Sequence, residues 1–352
     1  MSYYILLGTP FDLEAINQQA QLGQRPRHSI WDLSQQLDAT IYQPNTYSVS
    51  RKDKIAARLI GRPQHWSMAR ELCQRLDQND LVFCTGEGVG FPIALLCQGK
   101  STRPKLIVTV MAPERFRPRN ISKVFKLASA IDMFMTNTET KAEFLKQHLR
   151  LSREKVYVLP EQTDVKFFTP GDTLRPKTRP LIASAGREQR DYKTLALATQ
   201  DLDLDVEVCA VSPNASKFTQ VSFPEPVPSN MSFYPHDWPE FRQLYRDADV
   251  VVVSLLENNY SAGLTSLMEA MACRRPVIIT NIPGLARKLI ELGVVLGVNP
   301  GDAMTMRRLI LDLLEHPHKA ELMAEKVYDY LLKHHTSEQY VSQLVGKMKK
   351  LL

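Results

Sequence analysis

Short apolar runs alternate with helix-forming segments along most of the chain, and this alternation restricts the fold more than any other feature. In DVVVVSLLENNYSAGLTSLMEAMACRRPVIIT (249–280), a β-branched run is followed by a turn, a run of good helix formers and a second apolar run. Such runs are typical of strands buried on both faces of a parallel sheet, and Pro276 is tolerated at the first position of the second strand. Alternating strands and helices predict an α/β protein with helices on both faces of parallel sheets.

Two series of strand-like runs occur, the first including YYILLG and DLVFC and the second including PLIASAG and DVEVCAV. Between them, residues 160–180 contain four prolines and few helix or strand signals. The length of 352 residues suits two domains of roughly 150 residues each. We therefore predict an N-terminal Rossmann-like domain over 1–165, a linker over 166–179, a second Rossmann-like domain over 180–335, and a C-terminal helix over 336–352 that can pack back on the first domain.

The composition indicates a globular protein, and no segment is apolar enough to predict a membrane span. The chain is 44% hydrophobic and 23% charged, which is typical of a globular protein, and no run approaches the roughly 18 apolar residues of a membrane span. The N-terminus enters a strand without the features of a signal peptide. The five cysteines are scattered and lie mostly in apolar runs, which favours buried thiols in the cytoplasm over disulfides. No spacing of Cys and His predicts a metal site.

Positive charge is concentrated between positions 103 and 126. The basic residues of this run are Arg103, Lys105, Arg115, Arg117, Arg119, Lys123 and Lys126, and its one acid is Glu114. The run is either a solvated charged face or a surface for an anionic partner, such as a lipid surface, a phosphorylated acceptor or a nucleic acid. We expect no nucleic-acid partner, because few aromatic residues are interleaved with the charges and no recognition motif is present.

The segment that follows these arginines predicts a helix over 121–130. Its apolar residues recur at helical spacing and would pack on the sheet of the first domain: Val124, Leu127, Ala128 and Ile131. The preceding loop, with Arg115, Arg117 and Arg119, could then face an anionic membrane. The expected location is therefore cytoplasmic, with peripheral attachment to the inner face of the membrane as an option.

A second motif follows the first strand of the second half. In SAGREQRDYKTL (184–195), Gly186 permits a close approach to the backbone, and Arg187 and Arg190 place two cations near the end of the strand. Two cations beside a glycine turn suit a diphosphate, although REQRD is also compatible with a salt-bridged turn. Neither a Walker loop nor a GxGxxG fingerprint occurs.

One acid, Glu269, lies inside the apolar helix predicted after the turn at 257–263. Its neighbours Leu267 and Met268 are core-type residues, among which a carboxylate needs a partner. Two interpretations are open at this point. Glu269 binds a ligand near the helix N-terminus, or it points to solvent and pairs with Arg274 or Arg275.

In order, VLPEQTDVKFFTPG, SAGREQRDYKTL, LYRDADVVVVSL and SAGLTSLMEAMACRRPVI resemble the motifs of GT-B glycosyltransferases of retaining family 4, the glycosyl transferases group 1. The resemblance covers about 156–283 at the level of motifs and the rest of the chain by architecture. It implies a GT-B fold, with two doubly wound domains facing across a cleft. It also implies metal-independent transfer of a hexose with retention from a nucleotide-sugar donor, a UDP- or GDP-sugar, with no further cofactor. The acceptor would be a small molecule, a glycan or a lipid-linked compound.

The resemblance also assigns roles to individual residues. The family segment that leads into the second domain is matched by Leu159, Pro160, Asp164, Phe168 and Pro170. The Gly-Arg pair and the Lys that hold the donor diphosphate correspond to Gly186, Arg187 and, with Arg in place of Lys, Arg190. The acid that binds the ribose corresponds to Glu269. The implied donor-binding set is Gly186, Arg187, Arg190, Tyr260, Ser261, Gly263, Leu264, Thr265 and Glu269, and the candidate catalytic residues are Glu87, Arg187 and Arg190.

The sequence departs from the family pattern at several positions. The first acid of the family's E-x7-E motif corresponds to Ser261, and polar contacts could come instead from Glu257, Asn258 or Asn259. In the first half, Met111 stands near a position where many relatives carry histidine. The alternative to a transferase is a non-catalytic GT-B-like protein that binds a nucleotide sugar or an anionic surface. An epimerase or a phosphorylase on the same fold is a further alternative.

The acceptor is expected on the first domain. In TGEGVGFPIALL, Glu87 and Gly88 follow a strand, and Glu87 is either an acceptor contact or an acid at a helix start. The basic stretch MAPERFRPR is a second candidate. His28 and His65 lie near predicted turns and are expected to be surface histidines rather than catalytic bases.

Overall fold

The computed structural model describes residues 2–176, 178–211, 220–258 and 262–351. The chain divides into two compact units. Unit 1 comprises Met1–Asn17, His28–Pro160 and Glu338–Leu352, and unit 2 comprises Gln18–Arg27 and Glu161–Ser337. Residues 166–179, predicted as a linker, lie within unit 2.

The strands form parallel sheets, as expected from the apolar runs. Those of unit 1 are β1 (Ser2–Leu6), β2 (Thr40–Tyr42), β3 (Asp80–Cys84), β4 (Lys105–Thr109), β5 (Met133–Thr136) and β6 (Val156–Val158). Those of unit 2 are β7 (Leu181–Ala185), β8 (Arg190–Asp191), β9 (Asp205–Cys209), β10 (Val221–Ser222), β11 (Met231–Phe233), β12 (Val250–Val253), β13 (Val277–Thr280) and β14 (Leu296–Val298).

Helices connect these strands. The first eight are α1 (Leu13–Gln21), α2 (Ser29–Leu37), α3 (Arg51–Ala56), α4 (Pro63–Arg75), α5 (Glu87–Cys97), α6 (Phe116–Val124), α7 (Leu127–Ala130) and α8 (Glu139–Leu149). They are followed by α9 (Tyr192–Thr199), α10 (Trp238–Asp247), α11 (Leu264–Ala272), α12 (Leu285–Glu291), α13 (Ala303–Glu315), α14 (Pro317–His334) and α15 (Ser337–Lys350). Among the described residues, no helix combines the length and apolar character needed to cross a bilayer.

The sheet of unit 1 has the strand order β2-β1-β3-β4-β5-β6 within the described residues, and both of its faces are buried. On β3, Val82 and Cys84 pack in one apolar cluster, whereas Leu81 and Phe83 pack in the other. This division follows from the two-residue period of a strand. Helix α15 completes the second cluster, in which Leu344 is fully buried. The C-terminal helix thus packs on the first sheet.

The larger sheet of unit 2 has the order β11-β9-β7-β12-β13-β14 among the described residues. Strands β12 and β13 pair in parallel, with Val251 opposite Val277, and α11 runs between them along the chain. The β-turn-α-β unit predicted over 249–280 is therefore confirmed. In such sheets, ligands bind at the carboxyl ends of the strands, next to helix N-termini.

A short early segment, Gln18–Arg27, belongs to unit 2, and sequence patterns did not reveal this. Asp164 of unit 2 is 4% exposed and accepts hydrogen bonds from Arg27, through the backbone N at 2.7 Å and Nε at 3.0 Å. A buried carboxylate needs such partners. The ion pair thus fixes the early segment to the start of the second unit.

The helix predicted over 121–130 is wrong in its extent. Helix α6 ends at Val124, Lys126 adopts a left-handed conformation with φ of 51°, and α7 begins at Leu127. Leu127 and Ile131 are buried as predicted, but Val124 is 71% exposed. The left-handed residue changes the direction of the chain, so Val124 does not share a face with the later apolar residues.

Candidate functional site

The turn after β7 is built around Gly186 and Arg190. Gly186 has a φ of 94°, which an L side chain rarely adopts, and a β-carbon there would collide with the Arg190 guanidinium. The backbone and the arginine therefore require glycine at this position. The predicted close approach to the backbone is made by a side chain of the protein itself.

Arg190 lies inside the protein, with 3% of its surface exposed. Its Nε donates to Ala185 O at 2.6 Å, Nη1 to Glu188 O at 2.9 Å, and Nη2 to Ser266 Oγ at 2.8 Å. The guanidinium thus ties the carboxyl end of β7 to the first turn of α11.

Arg187, the other predicted diphosphate contact, is exposed. No hydrogen bond or ion pair joins its side chain to the rest of the described chain. The two arginines of the motif therefore differ: Arg190 is a buried clamp, and Arg187 is an exposed cation at the same strand end.

The N-terminus of α11 lies at the end of β12. Gly263 precedes the helix with φ of 79°, and a β-carbon there would come within 2.9 Å of Val253 Cγ1. Leu264 is buried and Thr265 is exposed. In the part of the chain that the structure describes, no side chain caps this helix. Uncapped N–H groups at a helix start attract anions.

Glu269 is the sixth residue of α11 and is buried, with 5% of its surface exposed. Its Oε2 accepts a hydrogen bond from the Tyr245 hydroxyl at 3.3 Å. Burial raises the pKa of Glu269 to about 8, and the Tyr245 bond and the Arg190 charge act in the opposite direction. The interpretation of Glu269 as a solvent-facing acid is therefore wrong.

The two arginines considered as partners of Glu269 are engaged elsewhere. Arg274 forms an ion pair with Glu325 at 2.9 Å, and Arg275 donates from Nη1 to Ala248 O at 3.3 Å.

Of the residues at the predicted donor site, the structure brings together Gly186, Arg190, Ser266 and Glu269. Tyr260 and Ser261, predicted to contact the donor, lie outside the described residues.

Tyr245 and Ser266 were missed as site residues. Tyr245 is fully buried, and its ring lies 4.8 Å from that of Phe241 between centroids. The sequence contained a signal for Tyr245, since it lies shortly before a strand predicted to be buried, and a buried phenol hydroxyl needs a polar partner. Which acid supplies that partner depends on the fold, because Glu269 is 24 residues away.

In unit 1, Glu87 is the first residue of α5 and accepts a hydrogen bond from Met111 N at 3.0 Å. Its carboxylate therefore holds the loop after β4. Glu87 is half-buried, and its role toward an acceptor stays a prediction.

The expectation of a surface position is wrong for His65, which is 5% exposed. Its Nδ1 accepts from Arg62 N at 3.1 Å, and its Nε2 lies 3.0 Å from Gly8 O, to which it donates in that tautomer. Burial lowers the pKa of His65, so the ring is neutral. His28 is half-buried and accepts from Ile30 N at the start of α2. Both rings support turns.

The basic run divides into two groups. Arg103 donates to Asp132 at 2.6 Å and Lys105 lies 3.4 Å from the same acid, so these two cations are paired. The others are exposed: Arg115, Arg117, Arg119, Lys123 and Lys126. Phe116 is 82% exposed in their midst. We call residues 115–126 the basic-apolar segment.

Within the described residues, no group of three His, Cys, Asp or Glu side chains is arranged to hold a metal ion.

Residues 190–316 match a family model described as "Glycosyl transferases group 1". Over these residues the chain is similar to the glycosyl transferases group 1 family. This match lies in unit 2 and includes Arg190, Tyr245 and Glu269, so the family predicted from the motifs is confirmed there.

Two named relatives are similar to part of the chain. A D-inositol 3-phosphate glycosyltransferase of Paenarthrobacter aurescens (strain TC1) is 30% identical over 192 residues, covering 48% of this chain and 46% of the relative. The enzyme of that name from Arthrobacter sp. (strain FB24) is 27% identical over 187 residues, covering 47% and 43%. The chain thus spans about half the length of the curated relatives it matches.

Solved structures match the whole chain. The sucrose-phosphate synthase of Thermosynechococcus elongatus has a TM-score of 0.72 at 16% identity, covering 100% of this chain and 99% of that one. HepE of Anabaena in complex with UDP has a TM-score of 0.68 at 14% identity, covering 99% and 100%. These likenesses concern the fold, and they confirm the predicted GT-B class.

Proposed function

We propose that the chain is a glycosyltransferase that moves a hexose from a nucleotide sugar to an acceptor, with retention and without a metal ion. The observation that carries this proposal is the buried Glu269 on α11, beside the uncapped helix N-terminus and the two arginines of the β7 turn. The names of the relatives support sugar transfer. HepE, which is similar in fold, was solved with UDP and with UDP-glucose, which supports a UDP-sugar as donor, with a GDP-sugar as the alternative.

The chemistry requires stabilisation of a departing diphosphate. The bond from the anomeric carbon to the diphosphate oxygen breaks, and the acceptor oxygen bonds to the same face of that carbon. The acceptor proton leaves with the diphosphate. Arg187 and the N-terminus of α11 at Gly263 would stabilise the developing charge. Glu269 would accept hydrogen bonds from two ribose hydroxyls, and Glu87 of unit 1 would contact the acceptor.

A transfer assay separates this function from the non-catalytic alternative, whose support is Ser261 in place of an acid. Release of nucleoside diphosphate from UDP-, GDP- and TDP-hexoses is measured with sugar phosphates, simple sugars or lipid vesicles as acceptors. We expect release that depends on one acceptor class and persists in EDTA, with a product of unchanged anomeric configuration by NMR. Donor binding without release in any mixture would support the binding protein instead.

Arg187 provides a test of the diphosphate contact. Because Arg187 is exposed and without a described partner, Arg187→Ala should leave stability unchanged. A charge-assisted bond to phosphate contributes about 1.5–3 kcal/mol, so the Kd for the nucleoside diphosphate should rise at least tenfold, with little change for the free nucleoside. Isothermal calorimetry measures both.

The matched control is Arg308→Ala, which removes an exposed cation of α13 in the same unit. It should not change either affinity. Equal losses for diphosphate and nucleoside in Arg187→Ala would remove Arg187 from the phosphate site.

We also propose that the basic-apolar segment attaches the protein to the cytoplasmic face of an anionic membrane. Phe116 and Val124 are 82% and 71% exposed, and they alternate with exposed cations. Apolar side chains among lysines and arginines are typical of segments that lie in a membrane interface. Each cation near an anionic surface contributes roughly 1 kcal/mol. An acceptor in or on the membrane would then be within reach.

Vesicle co-sedimentation tests this surface. We expect binding to vesicles that contain phosphatidylserine, none to pure phosphatidylcholine, and release at high salt. The triple variant Arg115→Ser, Arg117→Ser, Arg119→Ser should lose binding, because it removes about 3 kcal/mol of attraction.

A control of equal charge replaces three exposed cations of unit 2 with serine: Lys193, Arg308 and Lys326. This variant should bind as the wild type does. Equal partition of the wild type to both vesicles, or to neither, would show that the segment is only a solvated face.

A further inference from the structure

The Tyr245 hydroxyl stands between two acceptors. It lies 3.3 Å from Glu269 Oε2 and 3.4 Å from the backbone carbonyl of Ser266. A phenol has one proton to donate. If Glu269 is protonated, its carboxyl donates to the Tyr245 oxygen, and Tyr245 donates to Ser266 O. If Glu269 is ionised, Tyr245 donates to it instead. Both states of the acid are thus compatible with the same positions of the atoms.

Four side chains act on the charge of Glu269. They are Arg190 of β8, Cys209 of β9, Tyr245 of α10, and Cys273, which directly follows α11. Burial raises the pKa of Cys209, and that of Cys273 to about 12, so both thiols are neutral. Arg190 is the charged neighbour, and its three described bonds all go to other groups.

Without a ligand, the buried carboxyl group of Glu269 therefore has one described hydrogen-bond donor, the Tyr245 hydroxyl. Burial raises the pKa of Glu269 to about 8, so it carries a proton near neutral pH. A ribose would change this balance, since two hydroxyls that donate to the carboxylate favour its charged form.

We propose that Tyr245 is a positioning residue of the donor site, which holds one oxygen of Glu269, and that binding of the donor ribose ionises Glu269 and releases its proton to solvent. This inference rests on the proposed function, because it takes Glu269 as the ribose-binding acid. Tyr245 acts through Glu269 and touches no substrate itself.

Proton release can be counted by calorimetry in buffers of different ionisation enthalpy. The probes are UDP-glucose, GDP-mannose and ADP-glucose, which all carry both ribose hydroxyls and whose diphosphates have no group that titrates near neutrality. With the acid near 8, linkage predicts release of about one proton per donor bound at pH 7 and close to none at pH 9. The affinity should rise as the pH approaches 8, by at most tenfold per unit, and then level off.

Tyr245→Phe gives a readout that a merely structural role would not change. The hydroxyl favours the ionised acid, so its loss should move the midpoint of the affinity–pH curve upward by at least about half a unit and weaken binding at pH 7 by at least about threefold. The control is Tyr330→Phe, which removes a half-buried phenol hydroxyl beside the same apolar cluster. It should leave the midpoint unchanged.

The outcomes separate the two proposals. Binding of a probe by the wild type without proton release at pH 7 would overturn this inference and leave the transferase proposal standing. Weaker binding by Tyr245→Phe with an unmoved midpoint would overturn the role of Tyr245. Failure of all three probes to bind would refute the donor site itself. The wild-type series does not depend on the folding of any variant.

Discussion

Replacement of Glu269 by alanine is expected to weaken nucleotide-sugar binding about 100-fold while the fold survives. The substitution removes the acceptor for two ribose hydroxyls, a loss of about 3 kcal/mol at roughly 1.5 kcal/mol for each bond to a charged group. The fold should survive because Glu269 is a buried acid whose desolvation opposes folding when it is charged. Calorimetry with the nucleotide sugar and circular dichroism measure the two effects.

The affinities of the variants for three ligands provide the control for this prediction. Ribose is common to nucleoside, nucleoside diphosphate and nucleotide sugar, so Glu269→Ala should weaken all three, whereas Arg187→Ala should weaken only the two that carry a diphosphate. Glu315→Ala, which removes an exposed acid of α13, should change none of them. Unchanged affinity in Glu269→Ala would contradict the assignment of the ribose site.

Replacement of Arg190 by alanine should destabilise unit 2 by roughly 3 kcal/mol or more. Arg190 is 3% exposed and donates to Ala185 O, Glu188 O and Ser266 Oγ. Its loss removes a donor from each of these acceptors, at a cost of about 1–3 kcal/mol for each that neither water nor another donor reaches. Urea unfolding of the free protein, read as the free energy of unfolding, measures the loss.

Arg190→Lys should not rescue this loss, because one ammonium group cannot reproduce the planar fork that meets three acceptors. Arg187→Ala is the matched control, since the neighbouring arginine is exposed, and its effect should stay within about 0.5 kcal/mol. An Arg190→Ala protein as stable as the wild type would show that the guanidinium is not a structural clamp.

Local sequence patterns were sufficient to predict the strands and the β-turn-α-β unit over 249–280. An uninterrupted run such as β12 must be buried on both faces, and the helix formers that follow it leave few alternatives. The motif order also placed Gly186 at the end of β7 and Glu269 on the helix after β12, where the structure has them. These features depend on residues close together in the sequence.

The features that were missed depend on contacts between distant residues. The pairing of Arg27 with Asp164 places the early segment in unit 2, and the two residues are 137 positions apart. The hydrogen bond from Tyr245 to Glu269 likewise joins separate helices. The break at Lys126 is a backbone choice that the apolar spacing around it did not reveal. The periodicity of apolar residues describes one element at a time. It therefore predicted neither these two contacts nor the left-handed backbone at Lys126.

The donor site in unit 2 is tested most directly by thermal unfolding in the presence of UDP-, GDP- and TDP-hexoses. A donor at 100 times its Kd stabilises the folded state by about 2.7 kcal/mol. One of the three should therefore raise the Tm of the wild type by several degrees, whereas the same concentration should stabilise Glu269→Ala by only about 0.4 kcal/mol. No shift of the wild type with any of the three, at millimolar concentration, would contradict a nucleotide-sugar site in this protein.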